Sequence, residues 1–265
     1  MWPSPPFLYP PLASPLVAAL SALSVFMGVS IGVGEVRGEN MAYSKFRHRG
    51  GDRVLPSRVG MLAAYAPALV AALASFAVPG AVDGPRARLL ATAIAVHFLK
   101  RVLEVLFVHR YSGSMPLASA ATVSIGYLLN SVMMIYAQHL SRGLPDPAVD
   151  LLYPGALVFA VGIAGNMYHH YLLSRLRASG AGGDGNKGYK VPRGGLFELV
   201  ACPHYLFEIV VFLGFAMIAQ TVFALAVAVS TSAYLTGRSC ATRRWYAAKF
   251  EEFPERVKAL VPYVL

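Results

Sequence analysis

The chain has 265 residues, of which 56% are hydrophobic and 14% charged, a balance too apolar for a soluble domain of this size. A formal net charge of +10 raises the question of nucleic acid. The basic residues lie between apolar runs and no DNA- or RNA-binding motif is present, so membrane topology explains the charge and nucleic acid is not an expected partner.

Residues 1–11 are rich in proline and aromatic side chains and are expected at a membrane interface. No basic residue precedes the first apolar run, so it reads as an uncleaved span over 12–34 rather than a secretory signal. The polar loop 35–58 carries Arg37, Lys45, Arg47, Arg49, Arg53 and Arg58. Runs near the roughly 20 apolar residues that cross a bilayer predict further spans over 59–78, 89–108, 116–138 and 151–173. Region 203–237 is too long for one span and reads as two short helices turning near Gln220 and Thr221. The tail, 238–265, reads as amphipathic.

With the N-terminus luminal, 18 of the 23 Lys and Arg fall on the cytosolic side. Only Arg86, Arg88 and Arg142 face the other side, and Lys100 and Arg101 lie within a span. The bias predicts an all-α polytopic membrane bundle of about seven transmembrane helices, N-terminus luminal and C-terminus cytosolic. Cys202 and Cys240 are too few for a disulfide framework and read as unreactive thiols.

The third span carries charges inside it. His97, Arg101 and Glu104 fall at i, i+4 and i+7, one helix face, and Glu104 reaches Lys100 at i−4. A charge at mid-membrane costs about 2.5–3.5 kcal/mol, so intramembrane ionisable residues point first to function. The bland alternative is a structural ion pair between helices. Asn166, His170 and Arg177 form a similar stripe on the fifth span; Arg177 meeting lipid phosphate would explain that residue but not the deeper Asn166. Residues 188–208 (G-Y-K-V-P-R-G-G-L-F-E-L-V-A-C-P-H-Y-L-F-E) combine a Gly194-Gly195 turn with Pro203 at a helix start. His204 and Glu208 then share one face of that helix. In the tail, Arg238, Arg243, Arg244, Trp245, Tyr246 and Lys249 also suit anionic lipid. Together these groups suit an anionic, phosphate-bearing ligand such as a nucleotide or CoA ester.

Several chemistries are excluded. Gly32-Val33-Gly34 has Arg37 where the third glycine of G-x-G-x-x-G belongs, and there is no P-loop, H-E-x-x-H or G-x-S-x-G. The histidines lack di-iron spacing, and His169 and His170 point to different faces of one helix, so no metal is expected. A transporter would show broken helices in two repeated halves, and no repeat is present.

Residues 188–208 and the ending R-W-Y-x-x-K-F-E-E-F-P-E-R-V-K-A-L-V-P-Y-V-L resemble the C-terminal domain of the steroid 5-alpha-reductase family, which includes very-long-chain trans-2-enoyl-CoA reductases. The run H-F-L-K-R-V-L-E-V-L-F-V-H-R-Y-S-G-S-M-P is closest to the enoyl-CoA branch, whereas the short chain without a ubiquitin-like extension is closer in layout to the steroid branch. The resemblance implies a seven-helix reductase of the endoplasmic reticulum membrane that uses NADPH. Its substrate is a lipid entering from the bilayer, either a steroid-like enone or a long-chain enoyl-CoA, with fatty-acid elongase components as partners in the second case. It also implies spans lining the substrate side over 1–150 and an NADPH-binding domain over 151–265.

By the same resemblance, cofactor-facing residues fall on Asn166, His170, Arg177, Tyr189, His204, Glu208, Arg238 and Tyr246, and the neighbouring basic residues Arg101, Lys190 and Arg243 are added as cofactor-binding candidates. The glutamate of the steroid branch's E-L-P motif falls on Tyr65, in Y-A-P, and the tyrosine of its H-Y-x-x-R motif falls on Phe98. Tyr65, His97 and Lys100 are therefore the catalytic candidates. The competing reading is a protein of this fold that binds nucleotide or lipid without turnover.

Overall fold

The computed structural model describes residues 5–43, 46, 53–111, 113–178 and 190–265, with the side chains of residues 177 and 178 outside the description. Its frame is a bundle of α-helices: α1 (Pro15–Arg37), α2 (Ser57–Ala74), α3 (Gly84–Leu103), α4 (Leu117–Leu140), α5 (Leu152–Ala178), α6 (Pro203–Ala219) and α7 (Val222–Lys249). α1, α2 with its 3-10 extension (Ser57–Ala77) and α4 are long and apolar enough to cross a membrane, and α6 is a shorter apolar helix.

Local chemistry sets several ends. Ser14 caps α1 by accepting from the Val17 backbone N–H, Pro15 opens the first turn, and Gly38 closes the helix at φ 98°. Thr221 caps α7 by accepting from Ala224 N–H. The chain turns between α6 and α7 at Gln220, as predicted, but the second helix is not short. α7 runs 28 residues and takes in the first part of the expected tail, because its polar face is buried against α1 rather than left at an interface.

The most extensive helix pairs are α5 with α6 and α1 with α7. α3 lies centrally, against α2, α4, α5 and α6, and so can gather side chains from several directions. Close approach of α1 and α7 rests on missing side chains: a Cβ at Gly237 would overlap the Gly32 carbonyl, and one at Gly32 the Ala233 carbonyl.

After Leu103, α3 widens into a π-turn (Glu104–Val108), with His109 N–H donating to Glu104 O at 2.7 Å. Such insertions concentrate at functional sites. The chain then forms β2 (Ser114–Pro116), antiparallel to β1 (Val54–Pro56), in the register Leu55 with Met115. This small sheet is a minor addition to a mostly helical chain. Its strands run through proline, so neither periodicity nor propensity marks them.

At the opposite end of the bundle, buried Gln220 adopts φ 51° and ties loops together. Its amide nitrogen donates to Phe7 O (2.7 Å) and Val149 O (2.8 Å), and its side-chain oxygen accepts from Arg86 and from Leu151 N–H. The C-terminal segment is pinned by Lys258 N–H to Leu199 O and Ala201 N–H to Lys258 O.

Candidate active site

The predicted face of α3 is buried, and it meets the other candidates. Tyr65, two residues before the proline inside α2, is buried. The Arg101 guanidinium lies over the Tyr65 ring at 4.5 Å from its centroid, and its NH2 group donates to the Tyr65 hydroxyl. The same guanidinium is 3.2 Å from Glu104 Oε2 and 3.1 Å from His170 Nδ1, and His170 Nδ1 is 3.0 Å from Glu104 Oε2.

Lys100 joins this cluster to a second one. Its Nζ forms an ion pair with Glu104 Oε1 at 3.1 Å, and it donates to Asn166 Oδ1. The Asn166 amide then donates to His204 O (2.8 Å) and to Glu208 Oε2 (2.9 Å). His97 Nε2 stands 3.5 Å from Glu208 Oε1, without a hydrogen bond. His204 thus enters through its carbonyl, while its ring lies near those of His170 and Tyr205.

One continuous polar network therefore runs from Tyr65 on α2 through α3 and α5 to Glu208 on α6. Two cations, Lys100 and Arg101, face two carboxylates, Glu104 and Glu208. The predominantly basic site read from the sequence is, in this core, balanced. That balance is what lets the charges be buried, since an uncompensated ion in such a place costs several kcal/mol. The oxygen and nitrogens of Glu104, His109 and His170 approach within 4.8 Å of one another, a donor set suited to a cation. Arg101 already supplies positive charge at that spot.

Other candidates lie outside this network. Arg238 is 1% exposed and fully engaged by protein groups. It bonds Glu35 at 2.8 Å, Met41 O at 3.0 Å and Tyr43 O at 3.1 Å, and it stacks over the Tyr43 and Phe46 rings. Glu35 also accepts from Met41 N–H, and Arg244 donates to Glu35 O. Arg238 thus holds the chain leaving α1. Arg243 donates to Val257 O and Glu255 O and fastens the tail. Tyr246 is buried and stacks on Phe253 at 5.7 Å, beside a cleft that Arg193, Glu198 and Arg256 help to line. Lys190 is exposed. The side chain of Arg177 and all of Tyr189 lie outside the described residues.

Two contributors escaped the sequence. Glu35, 0% exposed, looked like the start of a polar loop beside Arg37. A lone acid at the end of an apolar span was the only available signal. His169 does point away from His170, as expected, and it has its own task. Its Nδ1 is 2.7 Å from Gly165 O, and its Nε2 accepts the Leu196 N–H at 3.1 Å. A neutral ring of one tautomer therefore seats the Gly194–Gly195 turn, whose φ angles of 87° and 54° suit glycine.

The sequence comparisons bear on this geometry. A family model described as 3-oxo-5-alpha-steroid 4-dehydrogenase matches residues 114–265. A 3-oxo-5-alpha-steroid 4-dehydrogenase 1 from Macaca fascicularis is 31% identical over 258 residues, covering 94% of each chain. The chain belongs to the 3-oxo-5-alpha-steroid 4-dehydrogenase family. It is an oxidoreductase of the kind that acts on CH–CH groups. Relatives within the family include a steroid 5-alpha-reductase DET2 from Gossypium hirsutum, 32% identical over 192 residues (68% of this chain, 71% of the relative). Another is a very-long-chain enoyl-CoA reductase from Dictyostelium discoideum, 30% identical over 173 residues (64% and 56%). The family model takes in Asn166, Glu208 and Arg238 but begins after α3. Tyr65 and the charged face of α3 lie outside it and within the longer pairwise match to the Macaca fascicularis protein.

Proposed function

We propose that the protein is a membrane-embedded, NADPH-dependent reductase of a carbon–carbon double bond conjugated to a carbonyl in a lipid, of the steroid-enone type. The observation that carries the reading is the continuity of the network. A tyrosine hydroxyl backed by a guanidinium sits at one end and an Asn166–Glu208 amide-binding pair at the other.

The residues fit a nicotinamide cofactor. Among the described residues, His97 Nδ1 and Nε2 and Arg101 Nε are buried with no hydrogen-bond partner, and such atoms call for a ligand or water. Asn166, Glu208, His170 and Arg101 would hold the nicotinamide end. Arg177, Tyr189, Lys190 and the His204 turn would hold the phosphate end, with Arg238, Arg243 and Tyr246 fixing the surrounding segments. The cofactor's contribution when bound is the hydride that the alkene's β carbon accepts.

Tyr65 holds the substrate carbonyl oxygen, and Arg101 steadies the negative charge that gathers there. Lys100 and His97 would pass a proton toward the α carbon. The buried helices exclude water. We further propose seven spans, a luminal N-terminus, a cytosolic C-terminus and residence in the endoplasmic reticulum membrane. In this scheme 1–150 forms the substrate side and 151–265 the cofactor side.

A second reading, very-long-chain enoyl-CoA reduction with elongase components as partners, is favoured by the α3 run and by the Dictyostelium relative. Following NADPH oxidation by purified protein with a 3-oxo-4-ene steroid and with a long-chain trans-2-enoyl-CoA separates the two. NADPH-dependent thermal stabilisation with turnover of neither substrate would leave a binding protein and sink both readings.

A further inference from the structure

The hydroxyl missing at Phe98 has a neighbour able to replace it. Phe98 is buried on α3, with its ring centroid 6.5 Å from that of Tyr65 and 5.3 Å from that of Tyr127 on α4. The Tyr65 and Tyr127 rings are themselves 5.6 Å apart. Rings from α2, α3 and α4 thus make one aromatic wall. Its register is fixed one turn earlier, where Ser124 Oγ donates to Ala63 O at 2.7 Å.

Tyr127 is an odd choice for a plain packing residue. It is partly buried against the core, and it makes ring contacts but no hydrogen bond among the described residues. The aromatic belt of a membrane protein does not explain it either. α4 starts at Leu117, so Tyr127 lies about 15 Å along the helix, near mid-bilayer. Belt tyrosines sit at the two interfaces. A phenylalanine would make the same ring contacts.

We propose that Tyr127 is a second catalytic hydroxyl: with Tyr65 it donates to the substrate's carbonyl oxygen and supplies from α4 what Phe98 cannot supply from α3. The proposal rests on the reductase reading given above. It assigns the carbonyl to a pair of phenols, one held by Arg101 and one unengaged until substrate arrives. It also places that carbonyl at the α2–α3–α4 wall.

The test uses the full-length protein in detergent or nanodiscs. Tyr127→Phe removes one oxygen and is expected to lower kcat/KM for the enone about 100-fold, as for loss of one oxyanion donor. NADP+-induced thermal stabilisation should stay unchanged. The double variant Phe98→Tyr/Tyr127→Phe returns a hydroxyl to the same wall and is expected to recover most of the loss. Binding of a saturated 3-oxo steroid in the presence of NADP+ is measured alongside by thermal shift, and Tyr127→Phe should weaken it. Wild-type turnover and wild-type ketone binding in Tyr127→Phe would overturn the assignment of Tyr127 alone. Loss of NADP+ stabilisation in that variant would do the same, by making Tyr127 structural. A wild-type protein that neither reduces the enone nor binds the ketone would overturn the reductase reading, and this inference with it. Ketone binding that depends on Tyr127 without any turnover would keep the hydroxyl's contact and remove the chemistry.

Discussion

At the scale of single residues, the network makes unequal demands on its members. Tyr65 hydrogen-bonds to the rest through one hydroxyl, while its ring contacts would survive replacement by phenylalanine. Tyr65→Phe should therefore cost about 10²–10³ in kcat with little change in NADPH affinity, read from steady-state kinetics beside a cofactor thermal shift. Outside the network, Glu35 is fully buried and pairs with a guanidinium that is nearly so. Glu35→Ala leaves Arg238 charged and uncompensated, and should destabilise the protein by roughly 3–5 kcal/mol. Thermal unfolding measures this. The double variant Glu35→Met/Arg238→Met should recover part of the loss, though not the bonds Arg238 makes to Met41 and Tyr43. The charged face of α3 was legible in the sequence because His97, Arg101 and Glu104 share a helical period and violate an apolar rule. Glu35 was not legible, since its partner lies more than 200 positions away and nothing in its neighbourhood is periodic. Tyr127 looked like any aromatic residue in a span.

At the scale of elements, helix positions followed from apolar run length, and the turn at Gln220 from the excess length of one run. The π-turn and the β1–β2 pairing did not follow, because each depends on contacts made across the chain rather than along it. The α1–α7 seam is sensitive to added bulk. Gly237→Val should separate the helices and lower the melting temperature by more than the same change at Gly126, where a Cβ would meet nothing. The loop before α5 carries a pH dependence. Asp150 accepts from Leu152 N–H and from Arg86, and these bonds hold its carboxyl below the ordinary carboxylate value. A depressed acid stabilises the fold above its unfolded pKa, near 4, and loses that contribution as pH falls through the lower folded value. Asp150→Asn should flatten the melting temperature between about pH 5 and pH 3 relative to wild type. The exposed pair makes this a small effect.

For the whole molecule, the proposed substrate and cofactor halves do not form separate bodies, since α1 packs along α7 and α3 lies against α2, α4, α5 and α6. The charge bias that ordered the spans makes a direct statement about topology. A glycosylation acceptor placed in the loop between α2 and α3 should be modified in microsomes, and one appended after Leu265 should not. The reverse pattern would invert the orientation.

The seam between first and last helix also has a meaning for biosynthesis. α1 leaves the ribosome first and α7 last. Glu35 and Arg238 are 203 positions apart. At about 5–20 residues per second, the acid waits roughly 10–40 s for its base. During that interval α1 offers the lipid a glycine-lined face and a carboxylate with no cation to meet. A chain that stops before α7 never closes that gap. Such truncated products should be recognised and degraded as unassembled membrane segments even though α2 to α6 are intact.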